Sequence, residues 1–355
     1  MQSSKILIFG GSFDPIHVGH TNMLNEAIKE IEPDLVYVVP NYISPTKDEF
    51  YSTPEQRIEM LNLAFKNCNN IKISDFEIKQ KKSVKTWETI QHFLTIHPNS
   101  EFFLLIGSDQ LVNFKQWYEY EKILENVKLV VYPRNLNDIK FNGIEYFLLQ
   151  GPILDVSSTK IREKVMPFEL NEKVLNYIND NGIYAINRIR EYESDHRFNH
   201  SLRVAYMARE IMNNFDPKMS NIAYTIGLYH DIAKEMAAEK QIFIAKNILG
   251  IHNFVSYKVL HGYIGSYILK TKYLCSNKLI LQAIDRHTLP YYQYDDEPNI
   301  LDKVLYLADK LEPSRTDEDV FGKSVQYFRE LAYKDVNKCF NELYSWLQEN
   351  LKGKK

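Results

Sequence analysis

Apolar and polar residues follow two different patterns along the chain, and the pattern changes near its middle. In the first half, short runs rich in β-branched and aromatic residues are separated by stretches with the apolar spacing of amphipathic helices. The predicted strands are Lys5–Phe9, Leu35–Pro40, Ile71–Phe76, Phe102–Ile106, Lys128–Tyr132 and Tyr146–Leu149. Helices are predicted between them, most clearly at Pro54–Phe65 and Lys85–Ile96. This alternation predicts an α/β fold in which helices cover both faces of a parallel sheet.

The strand signals fade after about Met166, and from Ile189 onward the pattern is helical. The predicted helices are Asn171–Ile183, His200–Met212, Met219–Ala233, Gly262–Lys270, Lys278–His287, Asn299–Leu311 and Tyr327–Leu347. We therefore predict two domains, with an α/β domain at residues 1–186 and an all-α domain at residues 187–355.

Length and composition narrow the classes of protein. The chain has 355 residues, 45% of them hydrophobic and 25% charged, and its formal net charge of −3 does not favour nucleic-acid binding. Cys68, Cys275 and Cys339 are far apart, which is typical of a reduced, cytoplasmic protein. No signal segment and no run of about 20 apolar residues is present, so no membrane association is expected. An oligomer remains compatible with these numbers.

The stretch GGSFDPIHVGH directly follows the first predicted strand. Gly10 and Gly11 allow backbone amides to approach a ligand closely. His17 and His20 are three residues apart and face the same way if a helix begins nearby. A helix start with two imidazoles suits phosphate and can stabilise charge that develops on phosphorus. Considered alone, the motif is about as consistent with a zinc pair or two surface histidines as it is with a phosphate site.

A second stretch, PILDVSSTKIRE, makes the phosphate reading more specific. Ser157, Ser158 and Thr159 are good N-cap residues for a helix that carries Lys160 and Arg162. Hydroxyl groups and a forked cation at a helix start are suited to the outer phosphates of a nucleoside triphosphate.

With these motifs, residues 5–184 resemble the HxGH nucleotidyltransferases, and within them the nicotinate-nucleotide adenylyltransferases. The stretches VVPNYISPTK, TPEQRIEMLNLA, TWETI and IGSDQLVNFKQWYEYEKILE carry the resemblance together with the two motifs above. The resemblance implies a doubly wound, Rossmann-like sheet. It also implies transfer of AMP from ATP to nicotinate mononucleotide, with Mg²⁺ on the triphosphate and no covalent enzyme intermediate.

The resemblance also implies roles for individual residues. The implied catalytic residues are His17, His20, Lys47 and Arg162. The implied ATP-binding residues are Gly10, Gly11, Ser12, Phe13, Ser157, Ser158, Thr159 and Arg162. On the mononucleotide side, Thr86 and Trp117 would frame the nicotinate ring, with Asp109 and Arg134 nearby. The chain departs from the family pattern at Thr46, Lys85 and Asn135. The choice between nicotinate and nicotinamide mononucleotide therefore stays open.

The helical half contains a scattered set of histidines and aspartates in apolar surroundings. GLYHDIAK places His230 and Asp231 in the middle of a predicted apolar helix, and VLYLADKLEP places Asp309 in another. Buried charged groups are costly unless they are paired or bound to metal. Imidazole and carboxylate ligands without thiolates suit iron, manganese or magnesium. Two such ions can activate water and neutralise a phosphoryl group.

Residues 190–340 resemble HD-domain phosphohydrolases, and more closely the bacterial symmetrical diadenosine-tetraphosphate hydrolases. The implied metal ligands are His200, His230, Asp231, His261, His287 and Asp309, with Asp231 bridging two iron or manganese ions and taking part in catalysis. Lys234 and Arg315 are the nearest candidate cations for phosphate, or else solvated surface charges. The resulting hypothesis is a bifunctional enzyme that also cleaves diadenosine tetraphosphate to two ADP. The alternative is that the helical domain senses a nucleotide or hydrolyses a different one.

Overall fold

The structure is a computed structural model, and it describes residues 3–42, 51–134, 143–291, 295–317 and 324–352. The chain divides into two compact units, residues 1–174 and residues 175–355. This division lies earlier in the chain than the predicted boundary near Asn187. The difference reflects the helix at Glu172–Asp180, because Asn179 donates to the carbonyl of Tyr273 within the second unit.

A six-stranded parallel sheet forms the centre of the first unit. Its strands are β1 (Lys5–Gly11), β2 (Leu35–Pro40), β3 (Ile71–Ile73), β4 (Glu101–Gly107), β5 (Lys128–Tyr132) and β6 (Phe147–Leu148). Every neighbouring pair is parallel and the strand order is β3-β2-β1-β4-β5-β6. The predicted doubly wound α/β sheet is therefore confirmed. Its order reverses between β1 and β4, where ligands bind in such sheets.

Short helices connect these strands. They are α1 (Val18–Ile31), α2 (Pro54–Ala64), α3 (Phe76–Lys79), α4 (Thr86–Ile96), α5 (Ser108–Leu111), α6 (Tyr120–Asn126) and α7 (Ser158–Glu163), with a 3₁₀ turn at Phe114–Gln116. Apolar side chains of β1, β4 and β5 pack against α4 and α6 to form a buried core. The carboxyl end of β1 leads into a loop, and that of β4 leads directly into α5, which carries Asp109.

The second unit is helical, as predicted. Its helices are α8 (Glu172–Asp180), α9 (Ala185–Arg190), α10 (Asp195–Phe215), α11 (Ser220–Tyr229), α12 (Ala238–Asn247), α13 (Leu260–Lys272), α14 (Lys278–Arg286), α15 (Ile300–Leu311), α16 (Val325–Lys334) and α17 (Val336–Lys352). One large core joins α10, α11, α14, α15 and the last two helices. Within the described ranges, no helix is both long enough and apolar enough to cross a bilayer.

The prediction for the last helical segment of this unit is wrong. The apolar spacing of Tyr327–Leu347 predicts a single helix, but two helices meet at Asp335. The backbone of Asp335 is extended (φ −154°, ψ 95°), and its carboxylate accepts a hydrogen bond from the amide of Lys338 at 2.9 Å. Asp335 thus ends α16 and caps α17, because a short acidic side chain competes with the helical backbone for hydrogen bonds.

Candidate active sites

The two motif histidines lie at the start of α1, beyond the end of β1. His17 is the N-cap residue, and its Nδ1 accepts from the amide of Gly19 at 3.1 Å. His20 Nδ1 accepts from the amide of His17 at 3.3 Å, and the two ring centroids are 3.8 Å apart. Because each Nδ1 accepts a hydrogen bond, the proton of a neutral ring resides on Nε2. Both imidazoles are therefore arranged to donate from Nε2.

His17 remains uncharged at neutral pH. Burial, followed by the positive charge of Arg134, lowers the pKa of His17 to about 3. The neutral ring, with Nδ1 already accepting, still has an Nε2–H that can donate to a phosphate oxygen. The side chain of Phe13 supports this arrangement, since its ring lies edge-on to His20 with centroids 5.2 Å apart. A Cβ on Gly11 would lie 2.9 Å from the Phe13 ring, so glycine is required there.

The serine-rich motif packs against the loop between β1 and α1. Ser157 caps α7, and Ser158 Oγ donates to the carbonyl of Pro15 at 3.0 Å. Arg162 donates to the carbonyl of Asp14 at 2.7 Å and to Thr159 Oγ1 at 3.0 Å. Arg162 therefore holds the opening loop against α7.

A cavity of about 900 Å³ lies between these motifs. The predicted ATP-binding residues that line it are Gly10, Gly11, Ser12, Phe13, His17, His20, Ser157, Ser158 and Thr159. The predicted mononucleotide-side residues that line it are Thr86, Asp109, Trp117 and Arg134. Arg162 is not among the lining residues, and Lys47 lies outside the described residues. Thr86 begins α4, and Arg134 is 3.4 Å from Asp109.

Three residues that belong to this cavity or hold its walls were not among the predicted site residues, although Lys85 was noted as a departure from the family pattern. Lys85 lines the cavity next to Thr86. Glu77 also lines it and is buried, and burial raises its pKa to about 7 although Thr89 Oγ1 donates to its carboxylate at 2.6 Å. Arg57 is fully buried and donates to backbone carbonyls that follow β1 and β2. The contacts of Glu77 and Arg57 are formed only in the folded chain, so no local sequence pattern could predict them.

All six predicted metal ligands converge in the second unit. Two groups have ligand atoms within 4.8 Å of one another: group 1 is His200, His230 and Asp309, and group 2 is Asp231, His261 and His287. They come from α10, the end of α11, α13, the end of α14, and α15. The prediction that His230 and Asp231 lie in mid-helix is wrong, because α11 ends at Tyr229 and His230 is its C-cap.

Asp231 lies between the two groups. Its Oδ2 is 3.5 Å from His230 Nε2 and 3.9 Å from His200 Nε2. Its Oδ1 is 3.1 Å from His261 Nε2 and 3.6 Å from His287 Nε2. One carboxylate oxygen thus faces each group, which is the geometry that a bridging ligand needs.

The protonation states in group 2 suit metal binding. Burial lowers the pKa of His287 to about 4 and also lowers that of His261. Burial favours a raised pKa for Asp231, but the charge of His230 and hydrogen bonds from His261 and His287 hold that pKa well below its usual value. Neutral imidazoles and an ionised carboxylate are the forms that bind metal.

The buried Nε2 of His230 has no hydrogen-bond partner among the described residues. Its Nδ1 lies 2.8 Å from the carbonyl of Gly227, so the neutral ring, which is the form that binds metal, has its proton on Nδ1 and its lone pair on Nε2. A buried lone pair aimed at two carboxylates is suited to a cation. The donor set, nitrogen and oxygen without sulfur, therefore fits a divalent metal.

Several cations lie close to Asp231 and Asp309, among them Lys310, whose Nζ is 3.3 Å from Asp309 Oδ2. Lys234 Nζ is 3.2 Å from His261 Nε2, and Arg315 is 3.8 Å from Asp309 Oδ1. Both were proposed from the sequence. Arg197, which was not, donates to Asp231 Oδ2 at 2.7 Å from one turn before His200 on α10. The site thus combines ligands with positive charge suited to phosphate.

Comparison with known proteins agrees with the division of the chain into an α/β unit and a helical unit. A cytidylyltransferase-like family model matches residues 8–164, and an HD domain model matches residues 197–314. A probable nicotinate-nucleotide adenylyltransferase/Ap4A hydrolase of Mycoplasma genitalium is 36% identical, covering 98% of this chain and 99% of its own. The protein of the same description from Mycoplasma pneumoniae is 33% identical, covering 94% and 96%. The crystal structure of an HD superfamily hydrolase involved in NAD metabolism from Clostridium acetobutylicum is 27% identical, covering 48% of this chain and 86% of that one, with a TM-score of 0.41.

The fold and the two sites define a class of enzyme in which a nucleotidyltransferase domain precedes an HD-type hydrolase domain. Similarity to the two Mycoplasma proteins extends over nearly the whole length of all three chains. The chain belongs to the family of fused nicotinate-nucleotide adenylyltransferase/Ap4A hydrolase proteins.

Proposed function

We propose that residues 1–186 transfer AMP from ATP to nicotinate mononucleotide, releasing pyrophosphate and forming nicotinate adenine dinucleotide. A phosphate oxygen of the mononucleotide attacks the α-phosphorus of ATP, and the bond to pyrophosphate breaks. The observation that carries this proposal is the pair of Nε2 donors of His17 and His20 at the cavity wall. They would stabilise charge on the phosphate oxygens.

The opposite end of the cavity would hold the mononucleotide. Trp117 lines the cavity beside Phe114 with ring centroids 4.9 Å apart, and its indole offers a plane on which a pyridine ring can stack. Thr86, at the start of α4, would meet the ring substituent. Mg²⁺ would arrive with ATP, and Lys47 and Arg162 remain proposed catalytic residues.

We propose that residues 187–355 hydrolyse diadenosine tetraphosphate to two ADP, with iron or manganese as the metal. The observation that carries this proposal is Asp231, whose two oxygens face group 1 and group 2. Two divalent ions would activate water and neutralise phosphoryl charge there. Lys234, Arg197 and Arg315 would hold phosphate oxygens around the groups.

Both activities are testable on the full chain. We expect ATP and nicotinate mononucleotide to give the dinucleotide, and manganese-loaded protein to convert diadenosine tetraphosphate to ADP alone. Asp231→Asn should abolish hydrolysis and leave adenylyl transfer intact, and His252→Asn, at an exposed residue, is the matched control. Transfer only with nicotinamide mononucleotide would reverse the acceptor assignment. ATP plus AMP as products, or binding without turnover, would refute symmetrical hydrolysis.

A further inference from the structure

His200 is oriented differently from the other three histidines of the HD site. His230, His261 and His287 each place Nδ1 within 2.7–2.8 Å of the backbone carbonyl three residues earlier. His200 Nδ1 instead lies 3.2 Å from the carboxylate of Glu312. Three imidazoles are thus backed by a neutral acceptor and one by an anion.

The position of His200 within its helix explains the difference. His230 and His287 are C-caps of α11 and α14, where the last carbonyls of a helix have no helical partner. His200 is the sixth residue of α10, where the carbonyl three residues earlier is already inside the helical hydrogen-bond pattern. A side chain from another element must therefore supply the acceptor.

Burial and hydrogen bonds hold the carboxylate of Glu312 in place beside His200. It is fully buried, and its Oε2 accepts from Arg203 Nε at 2.7 Å and from the amide of Ser314 at 2.8 Å. Ser314 Oγ donates to Oε1 at 2.5 Å, the same oxygen that lies closest to His200. Arg203 is one turn after His200 on α10, so both residues reach Glu312 from one helix face.

The backbone around Glu312 is fixed as well. Arg329 of α16 donates to the carbonyls of Leu311 and Glu312 at 2.7 Å each, and to the carbonyl of Arg315 at 3.0 Å. This turn therefore joins the acceptor for His200 to Arg315, whose guanidinium lies 3.8 Å from Asp309 in group 1.

We propose that Glu312 is a positioning residue that makes group 1 the tighter of the two metal positions. A carboxylate behind Nδ1 makes Nε2 more basic than a carbonyl does, and it adds a negative charge near the cation. Group 2 has no such carboxylate behind His261 or His287 among the described residues. This inference rests on the proposed two-metal site.

The test is a calorimetric titration of chelator-stripped full-length protein with Mn²⁺, with free Mn²⁺ followed by electron paramagnetic resonance. We expect two affinities in the wild type, of which His200→Ala removes the tighter and His287→Ala the weaker. Glu312→Gln should weaken the tighter affinity about 10–100-fold and change the weaker one less than about twofold. Two equal wild-type affinities, or equal shifts of both, would overturn the inference. No Mn²⁺ binding by the wild type would instead refute the two-metal proposal itself.

A second pair of variants guards against a folding defect in Glu312→Gln. Arg203→Gln removes one partner of Glu312 at a residue that is one-third exposed. Arg209→Gln is the control on the same helix, because that guanidinium stacks on Tyr206 and Tyr224 away from the site. We expect Arg203→Gln to change only the tighter affinity, by several-fold, and Arg209→Gln to change neither. An equal effect of the two variants would also overturn the inference.

Discussion

The backbone of Gly227 packs directly against the backbone of Ala205, so that a Cβ on Gly227 would lie 2.4 Å from the Ala205 Cα. This close approach joins α11 to α10, and the carbonyl of Gly227 also accepts from His230 Nδ1. Gly227 therefore contributes both to the packing of the two helices and to the orientation of the proposed metal ligand His230.

Gly227→Ala should force α11 away from α10 and tilt the His230 ring. Because backbone rather than a flexible side chain blocks the new Cβ, we expect a loss of about 1–3 kcal/mol in the free energy of unfolding. Mn²⁺ affinity should fall as well. Denaturant unfolding and Mn²⁺ titration measure the two effects. Gly265→Ala is the control, because its Cβ would meet two side-chain methyl groups at 3.2–3.3 Å and a backbone carbonyl only at 3.8 Å. An equally mild effect of both substitutions would refute the packing argument.

His17→Asn should separate capping from catalysis. Asparagine is a good N-cap, so α1 should persist, but it has no Nε2 donor at the position of the imidazole. We expect kcat for adenylyl transfer to fall about 10²–10³-fold with little change in thermal stability. A steady-state assay and a melting curve measure the two quantities. A large loss of stability with unchanged kcat would make His17 structural only.

Glu77→Gln should stabilise the first unit in a pH-dependent way. Below pH 4.5, the ordinary pKa of the group, Glu77 is protonated in both the folded and the unfolded chain. As the pH rises towards 7, the unfolded chain releases this proton while the folded chain keeps it, so stability decreases; above about 7 the cost is constant. Glutamine removes this cost and can still accept from Thr89.

We therefore expect Glu77→Gln to gain up to about 3 kcal/mol at pH 8.5 and much less at pH 5. Urea unfolding followed by tryptophan fluorescence at the two pH values measures the difference. The same gain at both pH values would show that the carboxyl of Glu77 does not titrate as its burial implies.

Lys85→Gln should change the choice between acid and amide acceptors. Lys85 lines the cavity next to Thr86, and its ammonium group would attract a nicotinate carboxylate there but not a carboxamide. We expect KM for nicotinate mononucleotide to rise about tenfold, equivalent to about 1.4 kcal/mol, with KM for the amide unchanged. Lys82→Gln is the control, since Lys82 pairs with Glu88 and is not among the residues that line the cavity. Equal increases for both acceptors would place the ammonium near the shared phosphate instead.

The sheet was predictable because buried parallel strands read as short apolar runs, and all six strands lie where the pattern places them. The apolar surroundings of His230, Asp231 and Asp309 indicated a buried polar cluster, and the resemblance to HD-domain phosphohydrolases implied the full set of six ligands. Helix ends were less predictable. The end of α11 at Tyr229 and the break at Asp335 depend on hydrogen bonds that local apolar spacing does not encode.

The partners that tune the sites were not predictable. Glu312 is 112 residues from His200, and Glu77 is an ordinary surface residue type until the fold buries it. The sequence pattern places Arg197 on the solvent-exposed face of a helix, yet its guanidinium donates to Asp231, which is 34 residues away along the chain. Such contacts require knowledge of which elements pack together.

The distance along the chain between a histidine and its acceptor also limits when the imidazole ring can take its final orientation during folding. His230, His261 and His287 find their carbonyls within one turn of the chain, so each ring can take its final orientation as soon as its own segment is structured. His200 cannot, because during synthesis the ribosome makes its acceptor more than a hundred residues later. Group 1 therefore cannot reach its final arrangement before Glu312 has been synthesised and the end of α15 has packed against α10.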